Sequence, residues 1–477
     1  MGKDCPADTR SVREDYQKVK VLSFVEGASP NKGGLRLVGV PWITKNLAAR
    51  GHQVVLNVNG RASSVAKKSV QPDTNSALSQ KKVLHIVEGL GPLHGGPGMD
   101  LPNYCRALAD LGCQIVLATV WSSWKDAPSR VLSQDSYIGG RGGYFSIAAF
   151  RSLGFRRWRF SPGLLGWLAK SITNFDIVHL HSLYSFPVLA GAILAQKNRL
   201  PYILTVHGVL APVQRNVSRN KKAVYDRLFA RRILNQASVI IYSSQQEYQE
   251  AAPLGIWAPA TIIPNGIALD QFNNMPPRGH FRSKYLNEHQ GPLILYLGRL
   301  NAKKGLDVLI PGFAQVLQKQ PSARLALVGA SDPPSYGHLV HNWIKEQGIA
   351  EKVVMTGVLS GTDRLSAFVD ADIFVLPSRS ENFAAAMLEA MACGLPVVVS
   401  SGVHLSSEIG KVGAGIVVNL DAGQLASAIL DLLSNPVGWR NMGERARKFA
   451  ENYTCDKTAA RLVALYQRLL GGEAITT

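Results

Sequence analysis

The chain is short of most features that would place it in a large structural class. No stretch of its 477 residues approaches the roughly 18 uninterrupted apolar residues of a membrane span. The opening MGKDCPADTR has no apolar core of the kind a secretory signal carries. Cysteine is scarce and scattered. Cys5, Cys105, Cys113, Cys393 and Cys455 are odd in number and show no paired metal-ligand spacing, which predicts reduced thiols in a cytoplasmic protein. Acidic residues are also few. Residues 1–290 hold 35 Lys and Arg against 17 Asp and Glu, whereas residues 291–477 hold 17 against 16. A basic first half beside a neutral second half predicts that the first half meets something anionic: nucleic acid, a membrane surface or a phosphorylated substrate.

What is present is a soluble composition, 46% hydrophobic and 18% charged, in a chain long enough for two cores. Short apolar runs bounded by breakers recur along it, as buried parallel strands do. They include Val83–Val87, Asp176–His181, Tyr202–Val206, Ala237–Ser244, Leu293–Leu297, Leu325–Val328, Val353–Thr356, Ile373–Leu376 and Leu395–Val399. Helical stretches separate them, so a doubly wound α/β architecture is expected, one for each half. The first eighty residues carry a partial duplicate. Lys20–Gly27 is echoed by Lys82–Gly89, Gly33-Gly34 by Gly95-Gly96, and Asn46–Leu56 by Ala107–Leu117. A polar stretch at Arg61–Gln80 reads as the joint between two βα units.

The chemistry concentrates in the second half. Glu381 and Glu389 are eight residues apart, too far round a single helix to share its face. With Glu381 in a loop and a helix beginning near Ala384, both carboxylates reach one ligand, and the helix start between them suits a phosphate. At the end of an earlier strand, Gly298-Arg-Leu-Asn-Ala-Lys-Lys-Gly305 sets Arg299 and Lys304 beside another helix start, a pairing that neutralises a diphosphate. In the first half, Gly95-Gly96-Pro97-Gly98 follows a strand and opens a helix, and His181 and His207 fall at carboxyl ends of strands. Arg151–Phe160 interleaves cations with Trp and Phe, and Arg219–Gln236 is a basic helix. Both suit an anionic membrane surface or a solvated face, and no recognised nucleic-acid module surrounds them.

The segment SENFAAAMLEAMACGLPVVVS resembles the Glu-x7-Glu signature of the family 4 retaining glycosyltransferases. LTVHG around His207, IIPNGI at Ile262–Ile267 and the Arg299/Lys304 loop are similar to further motifs of that family, and the likeness spans about residues 82–470. It implies the GT-B fold: two Rossmann-like domains facing a cleft, here with the partly duplicated βα unit at the N-terminus. The expected division is an extension at 1–80, an acceptor domain at 81–275, a nucleotide-sugar domain at 276–455 and a closing helix at 456–477, with Asp270–Gly291 as the interdomain linker.

By the same resemblance His207, Glu381, Arg299 and Lys304 act at the reacting centre. Gly95, Gly96, Arg299, Lys304, Val358, Glu381, Phe383, Ala384 and Glu389 hold the donor. The implied reaction moves a sugar, with retention, from a nucleotide-sugar to a glycan or polyprenyl-diphosphate-linked acceptor, with no cofactor, no metal and no nucleic acid. A surface-polysaccharide role and peripheral contact with the inner membrane face accompany it. A glycosyl phosphorylase, a sugar-nucleotide epimerase and a catalytically dead donor-binding scaffold are the alternatives. One departure stands out: the family usually has Gly where Ala384 follows Phe383.

Overall fold

The structure, a computed structural model, describes residues 56–58, 61–63, 81–91, 95–121, 136–139, 141–153, 158–473 and 475. It divides into two compact units, Met1–Lys68 and Ser69–Thr477. In the first, β1 (Leu56–Val58) and β2 (Arg61–Ser63) pair antiparallel, Leu56 opposite Ser63. Arg61–Ser63, read as the start of the linker, is therefore strand, and the remainder of that stretch to residue 80 lies outside the described residues. The Asn59-Gly60 dipeptide between the strands is a strong hairpin signal, because both residues tolerate the positive φ of a tight turn. The rest of the first βα copy lies outside the described residues.

The second unit contains two sheets. The first has the order β10-β9-β8-β7-β3-β4-β6-β5. Its strands are β3 (Lys82–Val87), β4 (Gln114–Trp121), β5 (Ser136–Ile138), β6 (Tyr144–Arg151), β7 (Ile177–His181), β8 (Tyr202–Thr205), β9 (Val239–Tyr242) and β10 (Ala260–Ile262). All pair in parallel except β5 with β6. The second sheet, β13-β12-β11-β14-β15-β16, is parallel throughout. It comprises β11 (Leu293–Leu297), β12 (Arg324–Val328), β13 (Val353–Gly357), β14 (Ile373–Leu376), β15 (Val397–Ser400) and β16 (Gly415–Val418). In both sheets the strand order reverses beside the strand that begins the domain, at β3 and at β11. Ligands of open α/β sheets collect at such switch points, outside the strands' carboxyl ends.

The central strands are buried along their length, as strands covered on both faces by helices must be. The stretch at Asp270–Gly291, expected to be linker, carries a helix at His280–Tyr285 with Phe281 and Arg282 buried. Arg282 is why. Its guanidinium donates to the carbonyls of His289, Gly291 and Asp370 and to the Asp372 carboxylate, fastening the segment to the second sheet.

Helix α1 (Gly95–Asp110) covers the first sheet, helix α2 (Ala385–Ala392) follows β14, and helix α3 (Cys455–Leu470) ends the fold. Although α3 follows the second sheet in sequence, it packs on α1. Leu462, Leu465 and Tyr466 join Leu101, Tyr104 and Leu108 in one core cluster. Thr454 caps it by accepting from the Lys457 N–H at 3.1 Å, and Ile267 exchanges backbone hydrogen bonds with Tyr453 and Cys455 at the crossing. Leu462 is 3% exposed and Leu339, on another helix, is 48% exposed. Leu462→Ala is expected to lower the unfolding free energy by about 2–4 kcal/mol in urea titration, and Leu339→Ala by no more than about 0.5 kcal/mol. Equal effects would mean that α3 is not part of the first domain's core.

Candidate active site

The sharp turn after β14 sets the first carboxylate. Glu381 forms a parallel bridge with Val403, its N–H donating to the Gly402 carbonyl at 2.9 Å. Three residues later the chain enters α2 through Ala384, whose φ of 54° and ψ of 51° lie in the left-handed region. That conformation explains why a glycine is the ordinary occupant: a Cβ there meets the adjacent carbonyl, at a cost of about 1–2 kcal/mol. The substitution keeps the geometry, so the N–H groups of the first turn of α2 still point out of the helix start. Phe383 is buried and packs near Tyr453, with ring centroids 6.2 Å apart.

Each acidic residue of the signature meets a cation. Glu381 pairs with Lys304, from the loop after β11, and Glu389 pairs with Arg364, from the helix Gly361–Asp370. Gln271 also donates to Glu389, at 3.4 Å. Burial works against the charge of Glu381, but Lys304 and Lys303 outweigh it and hold the carboxyl below its ordinary range. Burial prevails at Glu389 and raises its pKa despite Arg364. Arg299 is more open, 46% exposed, and donates to Asp332 at 2.7 Å. Val358, next to the carboxyl end of β13, is exposed at 54%.

The first domain faces this cluster. Gly96 lies in the first turn of α1, which begins at Gly95, and the next turn carries Asp100. Burial and the nearby Glu389 push the Asp100 carboxyl up to about 8, against the pull of Arg364. His207 follows β8 with a φ of 49°, and Gly208 lies so close to Asn382 that a Cβ would sit 2.3 Å from its side-chain oxygen. Glu247 holds this turn. Its buried carboxylate accepts from the Gly208 N–H and from the Ser243 N–H and hydroxyl, the latter two at 2.6 Å. Ser244 and His404 bridge the two domains at 3.1 Å, and His404 reaches Glu250 at 3.2 Å.

The structure thus gathers His207, Lys304, Glu381, Ala384 and Glu389 around the facing strand ends, with Arg299 at the rim. Sequence reasoning missed Arg364, Asp100, Gln271 and Glu247. Only Glu247 had a local signal, the Ser244-x-x-Glu247 capping spacing. It also left out an acidic pair of metal-ligand type, Asp370-Ala371-Asp372. That pair precedes β14, at the end of the strand away from the site. Asp370 accepts from the Arg282 N–H and Asp372 from the Arg278 and Arg282 guanidinium groups, so both carboxylates are committed to structure.

Two consequences can be measured. Ala384→Gly is expected to raise stability by about 0.5–1 kcal/mol, as relief of left-handed strain exceeds the added freedom of the unfolded chain. A loss would mean that the Ala384 methyl packs better than its backbone is strained. The second concerns pH. Burial lowers His85 to about 3 and His207 to about 4, and depresses His179 and His181 well below 6.5. In the unfolded chain these rings take protons near pH 6.5, so below that pH the unfolded state binds more protons and stability falls, by about 1.4 kcal/mol per unit for each ring. The carboxyls raised in the fold, Glu88, Asp100 and Glu389, act in the opposite sense but are fewer. The urea midpoint is therefore expected to drop between pH 6.5 and 4.5. A rise would contradict four neutral imidazoles.

Residues 94–271 match the family described as Glycosyltransferase Family 4, and residues 278–451 match Glycosyl transferases group 1. The D-inositol 3-phosphate glycosyltransferase of Corynebacterium aurimucosum is 24% identical over 385 residues, 78% of this chain and 90% of that protein. A GDP-mannose-dependent alpha-(1-6)-phosphatidylinositol monomannoside mannosyltransferase of Mycolicibacterium smegmatis is 31% identical over 252 residues, 50% of this chain and 64% of that one. Among solved structures, Anabaena HepE in complex with UDP and glucose superposes with a TM-score of 0.66 at 19% identity, covering 81% of this chain and 99% of that one. The chain belongs to the glycosyltransferases of family 4 and has their two-domain GT-B fold.

Proposed function

We propose that this family 4 glycosyltransferase retains the anomeric configuration of the sugar it transfers, works without a metal ion, and takes an anionic or lipid-linked acceptor. The observation that carries the reading is the set of cations at the carboxyl end of β11. Lys304 is largely buried beside Glu381 and the start of α2, and Arg299 is on the rim. As the anomeric C–O bond of the donor breaks, negative charge grows on the departing diphosphate. Lys304, Arg299 and the N–H groups at the start of α2 stabilise that charge in a cleft of low polarizability, the task a divalent ion performs in other transferases. Glu381 takes hydroxyls of the sugar and Glu389 the ribose. Gly95, Gly96, Phe383 and Ala384 border the phosphates, and Val358 lies against the base. His207 faces the sugar. The acceptor hydroxyl attacks from the face the diphosphate leaves, and its proton passes to a phosphate oxygen, so no protein nucleophile is required.

The acceptor side is supported by a cavity of about 490 Å³ in the first domain, lined by Arg215, Arg219, Lys222, Asp226 and Glu250 among others. Beside it, Val213, Val217, Val224 and Leu228 are exposed among Arg219, Lys221 and Arg227. Apolar side chains interleaved with cations suit the headgroup layer of an anionic bilayer. Among the described residues no helix is long and apolar enough to cross a membrane. In this reading the protein meets lipid from the side, at the inner face of the cytoplasmic membrane, in the assembly of surface glycans. The Mycolicibacterium relative is named for a phosphatidylinositol mannoside acceptor, which accords with that picture.

Purified protein given UDP-, GDP-, ADP- and dTDP-sugars in EDTA is expected to hydrolyse one of them slowly. Lys304→Ala should reduce kcat/KM by about 10²–10³-fold, the loss of one strong stabiliser of transition-state charge. An EDTA-sensitive rate, or a Lys304→Ala variant of full activity, would overturn the reading. In vesicle sedimentation, anionic phospholipid is expected to retain the protein at low salt, and Arg219→Glu with Arg227→Glu to release it. Equal retention on neutral vesicles would remove the electrostatic part of the argument.

A further inference from the structure

Behind His207 stands a single file of buried polar side chains. β3 supplies His85, β7 His179 and His181, β8 Thr205 and α3 Tyr466, none more than 4% exposed. Thr205 Oγ1 is 2.7 Å from His179 Nε2, and His179 Nδ1 is 2.8 Å from the Tyr466 hydroxyl. That hydroxyl lies 3.3 Å from His85 Nε2. His85 Nδ1 is 3.0 Å from His181 Nε2, and His181 Nδ1 is 3.1 Å from His207 Nε2. The Tyr104 hydroxyl forms a side branch at 3.4 Å from His181 Nδ1. At the far end His207 Nδ1 is buried with no hydrogen-bond partner among the described residues.

Three of these rings, His85, His179 and His181, bring nitrogens within 4.8 Å of one another, which raises the question of a metal. Their hydrogen bonds answer it. All six nitrogens of these three rings already have hydrogen-bond partners, on Thr205, Tyr466, His207 or one another, so none is left to bind a metal. The file is a hydrogen-bond chain.

Its protons can be counted. Burial keeps all four imidazoles neutral at pH 7, so each ring carries one N–H, and Thr205 and Tyr466 carry one O–H each. Six protons serve five links and leave one at an end. A link cannot hold two protons at these distances, and a link with none leaves two buried acceptors facing each other. The uninterrupted arrangements therefore run wholly toward His207 or wholly away from it. Running away strands the Thr205 proton, since His179 is the only hydrogen-bond partner of that hydroxyl among the described residues. The adjoining cavity measures only about 10 Å³, at the bottom of the range that admits a water. Running away also asks the single lone pair of His181 Nδ1 to accept from both the Tyr104 hydroxyl and His207 Nε2–H. Running toward His207 leaves only the Tyr104 proton without an acceptor inside the file and makes His207 Nδ1, the buried nitrogen with no partner there, a donor.

We infer that Thr205, His179, Tyr466, His85 and His181 are positioning residues. They fix His207 in the tautomer that presents Nδ1–H to an oxygen of the donor, and a residue near the chain's C-terminus thereby governs a group of the first domain's site. The inference rests on the reading of His207 as substrate-facing. It also gives α3 a chemical role beyond packing, because Tyr466 is the one hydroxyl joining the two halves of the file.

The test is long-range ¹H–¹⁵N correlation of histidine-labelled protein, which reads the protonated nitrogen of each ring, alongside steady-state kinetics. In the wild type His207 should appear as a pure Nδ1–H tautomer. Tyr466→Phe removes the central hydroxyl, and Thr205→Val removes the first proton without changing shape. Each should give His207 mixed tautomers and lower kcat about tenfold while donor KM stays within about twofold. Thr205→Val covers the case in which Tyr466→Phe fails to fold. Nε2–H at His207 in the wild type, an unchanged Nδ1–H in the folded variants, or one equivalent of tightly bound zinc would overturn the inference. A His207→Ala variant of full turnover would instead sink the reading of His207, which the tautomer spectrum does not address.

Discussion

Everything in the cleft depends on charge that is buried and must be matched. Lys304 and Glu381 are 15% and 19% exposed in their side chains, Arg364 and Glu389 22% and 8%. Removing such groups from water costs several kcal/mol per ion, and only a close partner offsets it. The site meets that requirement with its own carboxylates. The cation that would hold a diphosphate is held by Glu381, and the carboxylate that would hold a ribose is held by Arg364. A bound nucleotide-sugar competes for groups already desolvated and aimed, which is preorganisation of the kind that charge-stabilising catalysis needs. The remainder of the fold serves this arrangement. One mostly parallel and one wholly parallel sheet turn their switch points toward each other, the Glu381–Val403 bridge fixes the loop, and the left-handed turn at Ala384 starts the helix that carries Glu389.

The reach of the sequence follows from how local each feature is. Strands such as Leu293–Leu297 and Ile373–Leu376 were legible because a buried parallel strand is a short apolar run between breakers. The Arg299–Lys304 loop and the Glu381–Glu389 segment were legible because one loop and one helix start hold all their parts. Arg364, Asp100 and Gln271 were not, since each comes from a different element and meets Glu389 only through topology. The Pro- and Gly-rich composition of Asp270–Gly291 hid the helix at His280–Tyr285, which is anchored by one buried arginine and not by a periodic apolar face. Asp370-Ala371-Asp372 shows the opposite failing. Its spacing suggests metal, but its place before β14 and its commitment to Arg282 and Arg278 make it structural.

The histidines illustrate the same limit. Nothing in the spacing of His85, His179, His181 and His207 distinguishes satisfied core rings from ligands or relays. The parallel pairing of β3, β7 and β8 brings them side by side, and the return of α3 to the first domain adds Tyr466. A long-range contact made by the last helix is therefore as much a part of the site as the signature motifs.

The most direct test of the central claim is a crystal structure with UDP or GDP bound, whichever the protein hydrolyses as its sugar derivative. The account predicts the diphosphate at the start of α2, within hydrogen-bond reach of Lys304 and Arg299, with the ribose hydroxyls on Glu389. A nucleotide bound elsewhere, or one that leaves the Lys304–Glu381 and Arg364–Glu389 pairs facing only each other, would contradict it.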